Sequence, residues 1–469
     1  MTGPPPDAKA RAAAAFALQA AGRDARRLTF GLAARRKALG DLARALRDRE
    51  RDIITALDAD FGKPAPEVLL TEILPVAHEI RHARRNLARW MRARRARPTL
   101  ALLGTRARIE MQPKGTCLII APWNYPLNLC LGPLVSCLAA GNAAVLKPSE
   151  LTPTTSALVA RIVAEVFDPA LVTVCEGGRE MAEALLDQPF DHVFFTGGTT
   201  VGRAVMARAA QHPTPVTLEL GGKSPCIVGP GADVAAAARW ITFGKFANAG
   251  QTCIAPDHVL VHDSQRAALV AALRASVVAA YGTGAASPNL ARIVTDTHAV
   301  RLADWLAEAQ AGGARTTGPP PAGRAVPPLI VEDAPPESHL MQEEIFGPLL
   351  PVESWSDEGA LVARLNGGPV PLSLYVFDRD RIFARRVIAA TSSGSAGVNL
   401  TVAQFSHPGL PFGGMGASGF GVAHGEHGFR TFSHERAVLE NRFSPLPLLF
   451  APWRRTTRRL IEWAARWGG

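Results

Sequence analysis

The chain has 469 residues, 47% hydrophobic and 20% charged, the balance of a folded protein of two or three domains rather than a disordered one. Its formal net charge of +10 arises almost wholly from arginine, and its six cysteines are scattered along the chain. No pair of cysteines has metal-ligand spacing, and a disulfide framework does not suit so long a chain, so no metal site and a reducing, cytoplasmic setting are expected.

The first 27 residues are alanine-rich and broken by charge, without a signal core or cleavage pattern. Nowhere does a run of about twenty apolar residues appear that could span a bilayer. Eight arginines fall between Arg81 and Arg97. Such a run can grip phosphates, but no helix-turn-helix, zinc-finger or RNA-binding signature accompanies it. The preferred reading is the solvated face of a helix whose other side buries Leu87, Trp90 and Met91, with no nucleic acid as partner.

From residue 116 short apolar runs alternate with helical patterns. Strands are expected at 116–120, 143–147, 171–175 and 191–195, and helices at 127–140, 155–167, 179–187 and 201–211. Cys130 and Cys137, seven apart on one helical face, belong to the core. The alternation predicts an α/β chain with a parallel sheet covered on both faces, whose ligands sit at the carboxyl ends of the strands. A second alternating block runs from about 217 to 400, with strands at 224–228 and 258–262 and a proline-rich loop at 319–328.

The chemistry-bearing motifs stand at those strand ends. APWNYP (121–126) follows the first strand, and its prolines hold Asn124 in a rigid turn, either as a cap or as an amide donor for an oxyanion. KPSE (147–150) offers Lys147 and Glu150 to ribose hydroxyls. FFTGGTTVG (194–202) follows a strand and opens a helix; with Gly197, Gly198 and Gly202 it is an anion site built on a helix N-terminus. LELGGKSP (218–225) puts Glu219 among apolar residues at a strand end, where burial raises a carboxyl toward general-base range. NAGQTCIAP (248–256) holds Cys253 with no second thiol nearby: on the local residues alone it is either a small core side chain or a nucleophile. Gly414, Gly416 and Gly419 match a dinucleotide fingerprint, but the prolines of the preceding HPGLPFGG rule out the strand it requires, leaving a glycine-rich loop.

Taken in order, K-P-S-E, F-T-G-x-T, E-L-G-G-K, G-Q-x-C, E-E-I-F-G-P (343–348) and P-F-G-G-x-G-x-S-G (411–419) resemble the aldehyde dehydrogenase superfamily from about residue 60 to 440. The 34 residues from Glu219 to Cys253 match that family's base-to-nucleophile spacing. EILPVAHEIRHARRNLARWM, GQTCIAPD and LPFGGMGASGFGVAHGEHGFRTFSH carry a finer likeness to the class 3 branch, and within it to bacterial coniferyl aldehyde dehydrogenases.

The resemblance implies two doubly wound domains and a small β arm: residues 1–97 and 115–220 for cofactor, 221–400 for catalysis, 98–114 with 401–440 as a bridging arm that makes a homodimer, and 441–469 as a tail. It implies Cys253 as catalytic thiol, Glu219 as the base that hydrolyses a thioester, and Asn124 as oxyanion donor beside the backbone N–H of Cys253. Lys147 and Glu150 would hold the adenosine ribose, Glu344 the nicotinamide ribose, and Phe346 would pack near the nicotinamide. NAD is the expected cofactor, with NADP possible, since a carboxylate at Glu150 repels a 2′-phosphate. Where the family commonly has serine after F-T-G, this chain has Gly198, so backbone N–H groups must bind the pyrophosphate. The expected substrates are aryl-propenals such as coniferaldehyde, then medium or long aliphatic aldehydes. An acylating enzyme that passes the thioester to coenzyme A would need no Glu219, and a non-enzymatic binding role would leave the whole constellation idle. In the tail, Trp453, Leu460 and Trp467 share a broad apolar helical face against Arg454, Arg455, Arg458, Arg459 and Arg466, which suits either an anionic membrane surface or a lid over the protein itself.

Overall fold

A computed structural model describes residues 7–99, 102–284 and 286–467. Parts of the N-terminal segment, of the 98–114 arm and of the tail, including the Trp467 side chain, therefore lie outside the described residues. The alternating block forms a six-stranded sheet in the order Gly419–Phe420, Val216–Glu219, His192–Thr196, Thr116–Ile120, Ala143–Lys147, Val172–Val174. All neighbours are parallel except the Gly419–Phe420 edge. The four strands ending at Ile120, Lys147, Thr196 and Glu219 are buried along their whole length, because helices cover both faces and every position is inward. Helices Asn128–Ala140, Pro153–Val166, Arg179–Leu186 and Thr199–Ala209 fall within two residues of the expected ranges. Cys130 and Cys137 are fully buried in the core.

The second block gives a seven-stranded sheet ordered Arg315–Thr317, Leu329–Glu332, Leu349–Trp355, His258–His262, Pro225–Val228, Ser373–Phe377, Ser395–Val398. Only its first pair is antiparallel. Between the sheets' carboxyl ends lies the cleft that concerns function.

Two expectations need adjustment. The region after 400 is not wholly an arm. Gly419–Phe420 returns to the first sheet beside Leu218 and Glu219, and helix Gly425–Thr431 packs on helix Asn128–Ala140. The separate antiparallel sheet is made of Arg94–Arg95, Thr105–Pro113 and Ser433–Asn441. The arginine run is only half helix. Helix Leu74–Trp90 buries Ile80, Ala83, Leu87 and Trp90 and exposes Arg81, Arg84, Arg85 and Arg89; beyond it the chain turns into the short strand Arg94–Arg95.

Behind the cleft, Lys63 and Glu72 form a fully buried ion pair at 2.8 Å. The second Glu72 oxygen accepts the Asn128 N–H at 2.9 Å, and the Lys63 ammonium lies 4.0 Å from the Tyr125 ring centroid, a cation–π contact. The pair thus ties the N-terminal helices to the Asn124 turn. Removing one partner strands the other charge without water. Lys63→Met is expected to cost about 3–5 kcal/mol in chemical denaturation. The double variant Lys63→Met/Glu72→Met should recover much of that loss, and equal losses in single and double variants would contradict the pairing.

Candidate active site

Residues 247–250 make one short helical turn with the wrong hand. Asn248, Ala249 and Gly250 all have positive φ, at 55°, 52° and 73°, a conformation that costs non-glycine residues of order 1–3 kcal/mol each. Five hydrogen bonds and one close backbone approach hold it. Glu67 accepts the Asn248 N–H at 2.7 Å. The Asn248 amide donates to Asn124 O at 2.8 Å. The Gln251 amide donates to the carbonyls of Asn248 and Arg292, and its oxygen accepts the Val294 N–H. Gly250 lies so close to the Gly347 carbonyl that any Cβ would collide. This turn delivers Cys253, half-buried against Ile254, Leu372 and Phe412.

The thiol is pushed up to about 12, first by burial and then by the Glu344 and Glu219 carboxyls nearby. The other five cysteines are buried, so Cys253 alone meets the cavity. Glu219 is the last residue of its strand. Both of its oxygens are buried without a hydrogen-bond partner, and burial raises it well above the usual carboxylate range. Burial without a partner favours the neutral carboxyl and leaves both oxygens free to meet a group that enters the cavity. Cys253 and Glu219 line one cavity of about 310 Å³, walled by Leu129, Phe194, Trp240, Phe243, Phe405 and Phe432 among others.

Asn124 is buried, and its amide nitrogen donates to the Gln251 carbonyl at 3.0 Å. It therefore sits against the cysteine loop, as the oxyanion reading requires, with its donor turned to a backbone carbonyl in this state. Beside it, the Tyr125 and Thr252 hydroxyls bond at 2.6 Å.

Of the residues expected to hold a cofactor, Lys147 ends a strand, Gly198 follows one, and Glu344 and Phe346 lie in the segment before strand Leu349–Trp355. Lys147 is buried and pairs with the half-exposed Glu150 at 2.6 Å. Gly198 caps helix Thr199–Ala209, which has no acidic residue in its first turn and no side-chain cap, and a Cβ on Gly198 would meet nothing within 4 Å. That leaves open space and unpaired N–H groups for an anion. Gly202 lies further along the helix, buried, where a Cβ would approach Leu220 Cδ2 to 2.6 Å, so its role is helix–strand packing. Glu344 has one buried oxygen without a partner, and burial leads in raising it to about 8. Lys223, bonded to Asp257 and to the carbonyls of Leu340 and Glu343, ties the Glu219 turn to the Glu344 segment. Phe346 has φ 48° and meets the Trp123 ring edge-on at 5.3 Å. These residues fit a dinucleotide: an open helix start for phosphates, carboxylates for riboses and an aromatic wall. The Gly414–Gly419 loop plays no part in this. Gly414 packs on the Ser418 backbone and Gly419 pairs with Glu219.

Sequence reasoning missed Glu67, which carries no local motif and lies 181 residues from Asn248, and Tyr125, quoted within its motif but given no role. Among the described residues no group of three or more histidines, cysteines or carboxylates is arranged to hold a metal.

The sequence model of the aldehyde dehydrogenase family matches residues 5–438. The chain is 41% identical to the 4,4′-diaponeurosporen-aldehyde dehydrogenase of Staphylococcus aureus, over 88% of this chain and 90% of that protein. It is 40% identical to the probable coniferyl aldehyde dehydrogenase of Caulobacter vibrioides, over 83% of each. A structure of the substrate-bound state of Staphylococcus aureus AldH superposes with a TM-score of 0.87 at 39% identity, covering 91% of this chain and 93% of that one.

Native protein treated with iodoacetamide is expected to be labelled at Cys253 and at no other cysteine, since only that thiol reaches the cavity. Because the raised thiol is protonated at neutral pH, labelling of the cofactor-free enzyme should be slow at pH 7 and accelerate roughly tenfold per pH unit on the alkaline side. Peptide mapping by mass spectrometry reads both, and fast, pH-independent labelling would show a thiolate already formed.

Proposed function

The chain belongs to the aldehyde dehydrogenase family and is an NAD(P)-dependent aldehyde dehydrogenase; we propose that it oxidises aryl-propenals such as coniferaldehyde to their carboxylic acids. The observation that carries this reading is a single reachable thiol, Cys253, sharing one apolar cavity with an unpartnered buried carboxyl, Glu219. The aromatic walls suit a flat conjugated substrate, and the Caulobacter relative is named for coniferaldehyde. The same apolar lining also suits medium or long aliphatic aldehydes, the second reading.

The Cys253 sulfur adds to the aldehyde carbon as its proton passes to water in the cavity. The oxyanion takes hydrogen bonds from the Cys253 N–H and from Asn124, whose amide turns from the Gln251 carbonyl. When bound, the nicotinamide dinucleotide supplies the hydride acceptor. Departure of hydride from the thiohemiacetal leaves a thioester on Cys253. Glu219 then takes a proton from water, the hydroxide adds to the thioester carbonyl, and the thiolate leaves as the acid forms. Lys147 and Glu150 would hold the adenosine ribose, the backbone N–H groups from Gly198 onward at the helix start the pyrophosphate, Glu344 the nicotinamide ribose, and Phe346 would flank the ring; the Gly197 N–H donates to the Glu219 carbonyl and shapes the turn instead. The carboxylate at Glu150 favours NAD over NADP.

The assembly proposed is a homodimer. Ser433–Asn441 is a nine-residue edge strand paired on one side only, and an open edge of that length invites a partner strand. The location proposed is the cytoplasm, at the inner face of the membrane. Helix Arg455–Trp467 keeps its described apolar side chains outward, with Trp463 62% and Leu460 53% exposed, as is Trp453 before it. Arginines flank this apolar face, an arrangement that lies in an anionic headgroup layer.

Cys253→Ala is expected to lower turnover on the order of 10³-fold or more with cofactor binding retained. Glu219→Gln should give a burst of about one reduced cofactor per site followed by slow release, read by stopped-flow absorbance. Loss of the burst would move Glu219 to an earlier step. In flotation with anionic liposomes, the full chain should rise with the vesicles and a chain ending at Pro445 should not; binding that is absent, or that survives truncation, counts against the membrane contact.

A further inference from the structure

One carboxyl lines the catalytic cavity without a part in the chemistry above. Glu79 stands on helix Leu74–Trp90, on the stripe with Pro75 and His78 that faces the cavity. One of its oxygens, Oε1, accepts the Gly425 N–H at 2.7 Å. The other has no hydrogen-bond partner among the described residues, and Glu79 makes no ion pair among them. It is half-buried, so this second oxygen is open to the cavity and not sealed in protein. The surrounding wall, with Leu129, Pro133 and Phe432, is apolar.

Resting on the reading of the cavity as an aldehyde site, we propose that Glu79 is a specificity-determining residue that accepts a hydrogen bond from a hydroxyl carried by the aldehyde away from its carbonyl. The substrate class it selects is hydroxylated aryl aldehydes over their deoxy or alkyl counterparts. The reasoning is one of desolvation. A purely hydrocarbon substrate would remove the last water from the free oxygen and offer nothing in return. A hydroxyl replaces that water with a bond to a carboxylate, which is shorter and stronger than a neutral one.

The carboxyl sits where pH can report on it. Burial raises Glu79 to about 7, and the Gly425 N–H draws it partly back. The titratable groups around it are His78 and His82 on its own helix, His424 across the cavity, His407 near His82, and Glu426, His427 and Arg430 on the helix that begins at Gly425. Burial keeps His424 neutral down to about 4 and leads in lowering His82. None of these groups shifts Glu79 itself. A group raised by burial is neutral below its folded value and charged above it, so acceptor strength grows as pH rises through 7.

The test compares kcat/KM for 4-hydroxycinnamaldehyde and cinnamaldehyde, which differ by that one hydroxyl. The proteins are the parent, Glu79→Gln and Glu79→Ala, each full length with NAD. Glu79→Gln keeps an oxygen for the Gly425 N–H, so it separates recognition from folding. In the parent the ratio of the two values should favour the hydroxylated aldehyde and rise between about pH 6 and about pH 7.5 as the carboxylate forms. In both variants it should fall about tenfold and lose its pH dependence. A ratio that is the same in parent and Glu79→Gln, or flat with pH in the parent, overturns the assignment of Glu79 alone. Absence of any cofactor reduction by the parent with cinnamaldehyde overturns the aryl-propenal reading beneath it.

Discussion

Three consecutive left-handed residues ahead of a cysteine form a segment the backbone resists, and much of this structure holds it in place. Asn248 and Ala249 carry the cost in φ, and Gly250 makes the close pass beneath Gly347 possible. The restraints come from four distant parts of the chain: Glu67 in the N-terminal helices, Asn124 at the end of the first strand, Arg292 and Val294 beside the second sheet, and Gly347 in the EEIFGP segment. Strain of this kind persists only where surroundings over-determine it. The thiol position is therefore a property of the whole fold, and the two sheets meet at the place where it is set.

The electrostatics of the cleft have one theme. Carboxyls are placed where burial leaves them short of partners: Glu219 with both oxygens unmet, Glu344 with one. Each is a cost to folding, and each lies where the reaction would supply a donor or a positive charge. By contrast, Lys63–Glu72, equally buried, is fully paired and bonded. The difference between these groups separates what the fold uses for holding itself together from what it keeps ready for chemistry.

How much was legible follows from range. The first sheet could be read almost residue by residue, because TCLII, AAVLK and HVFF are buried on both faces and bounded by helices with clear periodicity. Glu219 and Lys147 were legible because each closes a strand within a compact motif, and Cys253 because it sits in a short motif between a helix and the next strand. Glu67 was not, because its partner is set by tertiary packing and nothing beside it in sequence signals a role. At Gly202 the tertiary contact with Leu220 adds a packing constraint that the motif does not show. The arm was drawn too wide because exposed strands and loops share a composition, and only hydrogen-bond register separates Gly419–Phe420, paired with Glu219, from Ser433–Asn441, paired with Pro113. Substrate choice was not legible at all. Relatives named for 4,4′-diaponeurosporen-aldehyde and for coniferyl aldehyde stand at 41% and 40% identity, and the cavity walls come from several loops at once.

The pairing of Gly419 with Glu219 has a consequence for how the enzyme comes into being. The strand that bears Glu219 finds its last neighbour 200 residues later, where Leu220 donates to the Ser418 carbonyl and Asn142 reaches the Phe432 carbonyl. On the ribosome, the core of the first sheet can assemble long before that neighbour emerges, and its edge stays open until residues 419–420 have been made. A truncated or stalled chain would thus carry the thiol and the carboxyl without the edge that fixes them together. The sheet that carries Glu219 is thus closed by a segment that follows the whole of the second sheet in the chain.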